Sequence, residues 1–388
     1  MDAKPRVALV RSDNRRGAIA QALTLVSDDL RRVASPEVLL KPNLVSHSRQ
    51  GPSTHADALS ATLDALFAAG SQRVTVAEGA SDAAAGFERM GYLRETAGRP
   101  VSYFDINRDE DAWEMLDLVG VDGRTLRARV SRTIAGSSCR VSLALAKTHM
   151  IVPLTMTLKN MLSSIHPADR VMMHGYPAGQ NGTKGWKRHI VNWLKRDDLL
   201  VNLATRTMGR GRNLVHAARR LDSIDGHTRL NGSERHFLKS VAAMQANLVA
   251  LNHLVRPHFG VIDAFVGMHR EGPRHGTPIR LGIAAAGADP VAVDAVVAAS
   301  MGFDPMEIGY LRDADAAGLG VARLDAIEIV GDRLATVIRK CVPHSTHVIQ
   351  RHVSSVVGRP VGAAGPALRG PHASGSRTLA GRPKESDA

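Results

Sequence analysis

The stretch of residues 141–160 constrains the fold of this chain more than any other. Its first part, residues 141–146, is a short apolar run without alternating polar positions. Such a run predicts a strand that is buried on both faces, as in a parallel sheet covered by helices. The run ends abruptly in Lys147, Thr148 and His149. Because open α/β sheets bind ligands beyond the carboxyl ends of their strands, this strand end is the first candidate site.

Short apolar segments alternate with segments of helical spacing through most of the chain. Strands are predicted at residues 6–10, 38–40, 74–77, 101–104, 141–149, 259–262, 279–286 and 326–330, with an edge-type strand at 126–134. Helices are predicted at residues 18–32, 55–69, 234–255 and 290–301, near residue 87 and from residue 155. Ser53 and Thr54 are expected to cap the second of these helices. The alternation predicts an α/β fold with a mainly parallel sheet, flanking helices and right-handed crossovers.

Charge and composition divide the chain into three parts. A single α/β domain is expected over residues 5–335, with a helical, partly basic insert at residues 166–255. The net charge of +13 comes from residues 184–222 and 336–388, which carry +7 and +6. Residues 340–388 are rich in Gly, Pro, Ser, His and Arg and lack the apolar pattern of a core. We therefore expect them to form a disordered basic tail.

Charged or amide side chains follow most of the predicted strands. They are Lys41, Asn43, Glu78, Asp105, Lys147, His149 and Asp263. The carboxyl ends of parallel strands share one edge of a sheet, so we expect these residues to converge on one crevice. Each of them also has an ordinary structural explanation, as a solvated lysine, a structural histidine or a capping carboxylate. The prediction therefore depends on their shared position and not on any single residue.

The residue types at this edge indicate an anion site with acid–base groups. Lysines would form a cationic lining suited to a carboxylate or a phosphate, and asparagines could each supply a donor and an acceptor. Glu78 beside a lysine is a candidate proton-transfer pair, since opposite charges shift each other's pKa. The expected catalytic residues are Glu78, Lys147 and His149. The expected substrate-binding residues are Lys41, Asn43, Thr54, Thr155, Lys159, Asn160, Asp263 and Glu271.

Composition limits which cofactors this chain can bind and in which cell compartment it is expected. The two cysteines, Cys139 and Cys341, are too few for a cysteine-ligated iron–sulfur cluster or a four-cysteine zinc site within this chain. A divalent metal on Glu78, Asp263 or Glu271 stays open, and the cofactor is otherwise unknown. The first residues lack the apolar core of a signal peptide, and no uncharged apolar run reaches about 18 residues. We therefore expect no membrane association and a cytoplasmic location.

Several short motifs occur together in one order along the chain. They are Lys41-Pro-Asn43, Gly51 with Thr54, Glu78-Gly79, Gly91-Tyr92, Lys147-Thr-His149, Lys159-Asn160, Asp263 with Gly267-Met268 and Gly272-Pro273, and Asp289-Pro-Val-Ala-Val-Asp294 with Gly302. On these residues the chain resembles the domain of unknown function 362 family, from about residue 5 to residue 332. The resemblance implies an α/β domain with a site around the motifs. Many relatives of this kind carry a ferredoxin-like, cysteine-rich segment and are suspected redox proteins, and this chain departs from them in having only two cysteines.

Three functions stay open on the sequence. The first is an enzyme that acts on a small anionic substrate in the crevice, with the redox role that the resemblance implies. The second is a nucleic-acid-binding protein that uses the basic insert and tail, where Trp186 and Trp193 lie among basic residues. The third is an accessory subunit that works with a separate iron–sulfur redox partner. Mutation of the crevice separates the first function from the others, and salt-dependent RNA binding singles out the second.

Overall fold

The computed structural model describes residues 3–79, 82–109, 113–179 and 232–353 of the chain. Its strands are β1 (Arg6–Arg11), β2 (Glu37–Lys41), β3 (Arg73–Glu78), β4 (Val101–Asp105), β5 (Trp113–Val119), β6 (Thr125–Ser131), β7 (Arg140–Thr148), β8 (Leu154–Thr155), β9 (Phe259–His269), β10 (Thr277–Gly287) and β11 (Glu328–Gly331). Its helices are α1 (Arg15–Leu25), α2 (Ser27–Val33), α3 (Ala56–Ala68), α4 (Ala83–Arg89), α5 (Tyr92–Glu95), α6 (Arg132–Ala135), α7 (Thr157–Asn160), α8 (Gly232–Val255), α9 (Pro290–Ser300), α10 (Gly309–Ala316), α11 (Leu334–Val337) and α12 (His347–Gln350).

The described strands form one large sheet and one small one. The large sheet has the order β11-β1-β10-β9-β7-β2-β3-β4, and the short β8 pairs with β7. Strand β10 is antiparallel to both of its neighbours and β8 is antiparallel to β7, while the other neighbouring pairs are parallel. This confirms the predicted α/β fold with a mainly parallel sheet, into which the β9–β10 hairpin brings one antiparallel strand.

The predicted central strand, β7, lies in the middle of the sheet between β2 and β9. All nine of its residues are buried. Leu143 and Val261 belong to the core beneath α1 and α3, whereas Ala144 and Ile262 belong to the core beneath α8 and α9. Both faces of the strand are covered, and therefore its sequence does not alternate between apolar and polar residues. Burying a side chain such as Leu143 stabilises the folded state by about 1.5–3 kcal/mol.

Two predicted elements near the ends of the sheet were wrong in detail. The helix expected at residues 18–32 is two helices, α1 and α2, which are separated at Val26. The strand expected at residues 126–134 is not an edge of the large sheet. It is β6, which pairs antiparallel with β5 in the separate two-stranded sheet. Apolar periodicity alone does not say which partner a strand will find, because pairing depends on residues far away in the sequence.

The segments that flank the candidate site also differ from the expectation. Helix α3 is capped by His55, whose ring accepts a hydrogen bond from the next turn, and not by Ser53 or Thr54. The helix expected from Thr155 begins instead at Thr157, because Thr155 pairs with Lys147 in the short ladder between β7 and β8. This ladder folds the chain back on itself directly after the central strand.

The basic insert at residues 184–222 lies outside the described residues, as does the chain beyond residue 353. The boundary expected for the tail near Lys340 comes too early. Cys341 and Gln350 are buried, and the Gln350 amide donates to the backbone carbonyl oxygens of His149 and Met150. Residues 341–353, which we call the C-terminal segment, therefore pack against the loop that follows the central strand.

Candidate functional site

Lys41 and Glu78, at the carboxyl ends of β2 and β3, form a buried ion pair. Lys41 Nζ lies 3.0 and 3.1 Å from the two carboxylate oxygens of Glu78 and 3.4 Å from the Pro42 carbonyl oxygen. The three ammonium hydrogens therefore all have acceptors. The strand ends thus bring these residues together as predicted, but the charge of Lys41 is already balanced by Glu78.

The Glu78 carboxylate is surrounded by donors in addition to Lys41. It accepts hydrogen bonds from the backbone N–H groups of Leu44 at 3.1 Å and Gly79 at 2.7 Å, and from Ser163 Oγ at 2.5 Å. Burial opposes the charged form, but Lys41, the Ser163 hydroxyl and the Gly79 N–H lower the pKa of Glu78 below its ordinary value. Glu78 is therefore an ionised structural anchor at neutral pH in this geometry. A Cβ at Gly79 would lie 2.5 Å from the Ser163 carbonyl oxygen, which explains the glycine of the Glu-Gly motif.

Two asparagines link this ion pair to the central strand. Asn43 Nδ2 donates to Asn160 Oδ1 at 2.9 Å, and Asn160 Nδ2 donates to the Lys41 carbonyl oxygen and to Ser142 Oγ. Asn43 Oδ1 in turn accepts from Lys147 Nζ at 2.5 Å. The predicted residues of β2, β3, β7 and α7 are thus joined in one buried hydrogen-bond network.

Lys147 is fully buried at the end of β7. Its Nζ donates to Asn43 Oδ1 and, at 2.7 Å, to the Pro52 carbonyl oxygen. Burial and then the positive charge of Lys159 lower the pKa of Lys147 to about 7. A neutral amine has two hydrogens and one lone pair. Two acceptors therefore match the neutral amine, whose lone pair is left to take up a proton.

The positive charge of Lys159 acts on both His149 and His174, and we call these three side chains the donor cluster. No hydrogen-bond or ion-pair partner is found for these three side chains in the described ranges, apart from the backbone N–H of Ile151, which donates to His149 Nδ1 at 3.0 Å. Burial lowers the pKa of Lys159 to about 8. Burial and the charge of Lys159 lower the pKa of His149 well below its ordinary value and that of His174 to about 4.

The tautomer of His149 follows from its hydrogen bond. Because Nδ1 accepts the N–H of Ile151, the proton of the neutral ring is on Nε2. His149 is therefore a hydrogen-bond donor at neutral pH and not a proton acceptor. An ammonium and an imidazole N–H that lack acidic partners are suited to hold an anion.

The two predicted threonines lie in the two segments that contact Lys147, the loop that holds Pro52 and strand β8. Thr54 Oγ1 accepts from the Asn43 backbone N–H at 2.9 Å and donates to the Leu143 carbonyl oxygen at 3.2 Å, so Thr54 fixes the loop before α3 on the strand. The Thr155 hydroxyl is buried without a hydrogen-bond partner among the described residues. Thr155 itself pairs with Lys147 in the ladder between β7 and β8.

Each of the two predicted carboxylates of the β9–β10 hairpin is paired with a residue that is not a member of the donor cluster. Asp263 forms an ion pair with Arg15 Nε at 3.1 Å. Glu271 binds His344 Nε2 at 2.9 Å and Ser345 Oγ at 3.2 Å in the C-terminal segment. Since Glu78 has its own partners, these acids do not meet at one point. The described residues contain no group of three His, Cys, Asp or Glu side chains that could hold a metal ion.

Four residues near the site were not predicted from the sequence as site residues. Asp294 accepts hydrogen bonds from the N–H groups of Thr157 and Leu158 and from the Thr157 hydroxyl, so α9 anchors the turn that carries Lys159. The others are Ser163, His174 and Arg274. Asp294 belongs to the motif Asp289-Pro-Val-Ala-Val-Asp294, so the sequence did contain a signal for it. The other three lie in irregular segments without a periodic pattern.

The fold and the site define a mainly parallel α/β protein with a buried lysine–amide network at the carboxyl ends of its central strands. The model of the family described as Domain of unknown function (DUF362) matches residues 38–299, and the chain belongs to this family. This confirms the resemblance drawn from the motifs.

A comparison with solved structures found a likeness to the lactate racemase apoprotein from Thermoanaerobacterium thermosaccharolyticum. The sequence identity is 14% and the TM-score is 0.32. The alignment covers 45% of this chain and spans 41% of that chain. A comparison with curated proteins found no match. In the described ranges, no helix is long and apolar enough to cross a membrane.

Proposed function

We propose that the protein is an enzyme that binds a small anion through Lys159 and His149 and moves a proton with Lys147. One observation carries this proposal. The amine of Lys147 is fully buried, and it feels the positive charge of Lys159, which has no acidic partner among the described residues. The fully buried Lys41 is paired with Glu78, whereas the partly buried Lys159 has no such pair among the described residues, which supports a place for an anionic ligand beside it.

The roles of the residues follow from their hydrogen bonds. Lys147 gives its two amine hydrogens to Asn43 Oδ1 and the Pro52 carbonyl oxygen, so its lone pair takes a proton from the bound substrate. A base with a pKa of about 7 is half protonated near neutral pH, which suits transfer in both directions. Lys159 and the Nε2–H of His149 bind the anion and stabilise negative charge that develops on it.

Lys41, Glu78, Asn43 and Asn160 support this chemistry without touching the substrate in the proposal. Their network holds Asn43 Oδ1 on Lys147 Nζ and connects it to the turn that carries Lys159. This differs from the expectation that Glu78 or His149 moves the proton. The substrate-binding role of Thr155 stays a prediction, as do the roles of Asp263 and Glu271. The redox partner, the divalent metal, nucleic-acid binding and the cytoplasmic location also stay predictions.

Calorimetric titration with short carboxylic acids and with phosphate tests the anion site. We expect Lys159→Met to weaken binding of the best acid by about tenfold or more, because a hydrogen bond to a charged group contributes about 1.5–3 kcal/mol. Lys340→Met is the matched control, since Lys340 is exposed and has no partner in the described ranges. The anion site is refuted if none of the probes binds the unmodified protein, or if Lys159→Met binds as tightly as Lys340→Met.

The proton-transfer role needs a separate measurement. The acids that bind are incubated with the protein in D2O, and deuterium at the carbon next to the carboxylate is followed by NMR. We expect Lys147→Met to bind the acid but to lose the exchange. Exchange that is equally fast in Lys147→Met would assign the proton transfer to another group.

A further inference from the structure

We infer that Gln350 of the C-terminal segment is a positioning residue, which keeps His149 in the form that donates its Nε2–H to the bound anion. The inference rests on the proposed function, because that function gives His149 its role as an anion donor. It adds a residue that acts on the site through His149 without touching the substrate. The C-terminal segment follows residues 38–299, which the family model matches, so the match assigns it no part in the site.

The side-chain amide of Gln350 holds two consecutive carbonyl oxygens of the turn after β7. Its Nε2 lies 3.2 Å from the His149 carbonyl oxygen and 2.9 Å from the Met150 carbonyl oxygen. Thr346 Oγ1 donates to the same Met150 oxygen at 2.7 Å. Both Gln350 and Thr346 are buried, so water does not compete with these hydrogen bonds. The C-terminal segment therefore fixes the backbone of residues 149–150 from one side.

The peptide group between Met150 and Ile151 carries this constraint to the imidazole of His149. Its C=O accepts from Thr346 and Gln350, and its N–H donates to His149 Nδ1 at 3.0 Å. Because a trans peptide group is planar, its C=O and N–H point in opposite directions and turn together. Holding the carbonyl oxygen therefore holds the N–H on the ring of His149.

The N–H of Ile151 decides which nitrogen of His149 carries the proton. While Nδ1 accepts this N–H, the neutral ring has its proton on Nε2, where it can bind an anion. If the peptide group turns away, either nitrogen can carry the proton, and part of the molecules lose the donor. Among the described residues, the partners found for the Met150 carbonyl oxygen are Gln350 and Thr346. The tautomer of His149 therefore depends on the C-terminal segment.

The C-terminal segment has its own anchor at the tip of the β9–β10 hairpin. The Glu271 carboxylate binds His344 Nε2 at 2.9 Å, and it accepts from the Ser345 backbone N–H at 3.3 Å and from the Ser345 hydroxyl at 3.2 Å. The hairpin is in turn fixed to β7, where Thr148 Oγ1 donates to the Arg270 carbonyl oxygen at 2.8 Å. The segment is therefore fixed to the same strand end that it constrains.

A double-mutant cycle tests whether Gln350 acts through His149. Gln350→Met keeps the length of the side chain and removes the amide, and His149→Phe removes the ring N–H. Calorimetry measures the binding of acetate, propionate, glycolate and inorganic phosphate, and the probe that binds the unmodified protein most tightly is used for all variants. The matched control is Gln21→Met, since Gln21 is exposed.

The expected result is an effect of Gln350 that disappears without His149. Gln350→Met alone should weaken binding of the probe about three- to tenfold, because it removes hydrogen bonds that hold the donor in place. In the His149→Phe background the same change should alter binding by less than about twofold. Gln21→Met should bind the probe as the unmodified protein does.

The tautomer of His149 gives a second reading that is independent of affinity. Nitrogen NMR of the imidazole distinguishes a ring protonated on Nε2 from one protonated on Nδ1. We expect the unmodified protein to hold the Nε2–H form and Gln350→Met to mix the two forms. Thr346→Val removes the other donor to the Met150 carbonyl oxygen and keeps the shape of the side chain, so it should shift the signals in the same direction. This variant decides the question if Gln350→Met does not fold.

The outcomes separate this inference from the proposed function. If binding depends on Lys159 and His149 but Gln350→Met binds as tightly as Gln21→Met, the inference is wrong and the proposed function stands. If Gln350→Met weakens binding equally in the His149→Phe background, or leaves the tautomer unchanged, Gln350 has a structural role only and the inference is also wrong. If none of the probes binds the unmodified protein, both fall.

Discussion

Replacing Lys147 by methionine should change how the stability of the protein depends on pH. In the folded state burial lowers the pKa of Lys147 from 10.5 to about 7. Below that value the folded protein holds a buried charge, and the free energy of unfolding is lowered by its full cost. As the pH rises from 7 toward 10.5, the unfolded chain binds the proton that the folded protein has lost, so stability increases.

The size of the effect follows from the two pKa values. For one lysine that titrates at 10.5 in the unfolded chain and about 7 in the folded protein, the free energy of unfolding rises by about 2.5 kcal/mol between pH 6 and pH 9. Lys147→Met lacks this contribution. The variant also leaves Asn43 Oδ1 and the Pro52 carbonyl oxygen without their donor, but that loss does not depend on pH. Other titrating groups, Lys159 among them, are present in both proteins and largely cancel in the difference.

Urea unfolding at a series of pH values measures this difference directly. The stability of Lys147→Met relative to the unmodified protein should fall by about 2.5 kcal/mol from pH 6 to pH 9. Lys340→Met should show a constant difference, because Lys340 is exposed. A constant difference for Lys147→Met as well would mean that Lys147 keeps its proton in the folded protein. The assignment of Lys147 as a base at neutral pH would then be refuted.

Three further predictions concern the supports of the site. Glu78→Gln should lower the free energy of unfolding by about 3–5 kcal/mol in urea, because it leaves the buried charge of Lys41 without its partner, and a loss below about 1 kcal/mol would contradict this. Asp294→Ala should weaken acid binding at Lys159 more than Asp294→Asn does, because the asparagine keeps one acceptor oxygen for the N–H groups of the turn. Calorimetry measures this difference, and equal binding by the two variants would contradict the prediction. A chain that ends after Lys340 should melt several degrees lower than one that ends after Val353, since it lacks the buried Gln350; equal melting temperatures would show that the C-terminal segment adds no stability.

Much of the fold could be predicted from local patterns. The apolar run at residues 141–146 was predicted as a strand with both faces covered, and β7 is the central strand with all its residues buried. Asp289 before an apolar segment predicted the start of α9, where its side chain caps the first turn. These signals are local, because solvent exclusion and helix capping act on residues that are near in sequence.

The sequence by itself also indicated part of the set of side chains that meet at the strand ends, although Asp263, which was predicted with them, pairs with Arg15 instead. Lys41, Glu78 and Lys147 could be placed together because parallel strands end at one edge, and the structure joins them through Asn43 and Asn160. Only the tertiary structure decided what each one does. Lys41 is neutralised by Glu78, whereas Lys159 has no partner in the described ranges. Pairing, burial and the resulting pKa depend on atoms that are distant in sequence and a few ångströms apart in space, and no pattern along the chain records those distances.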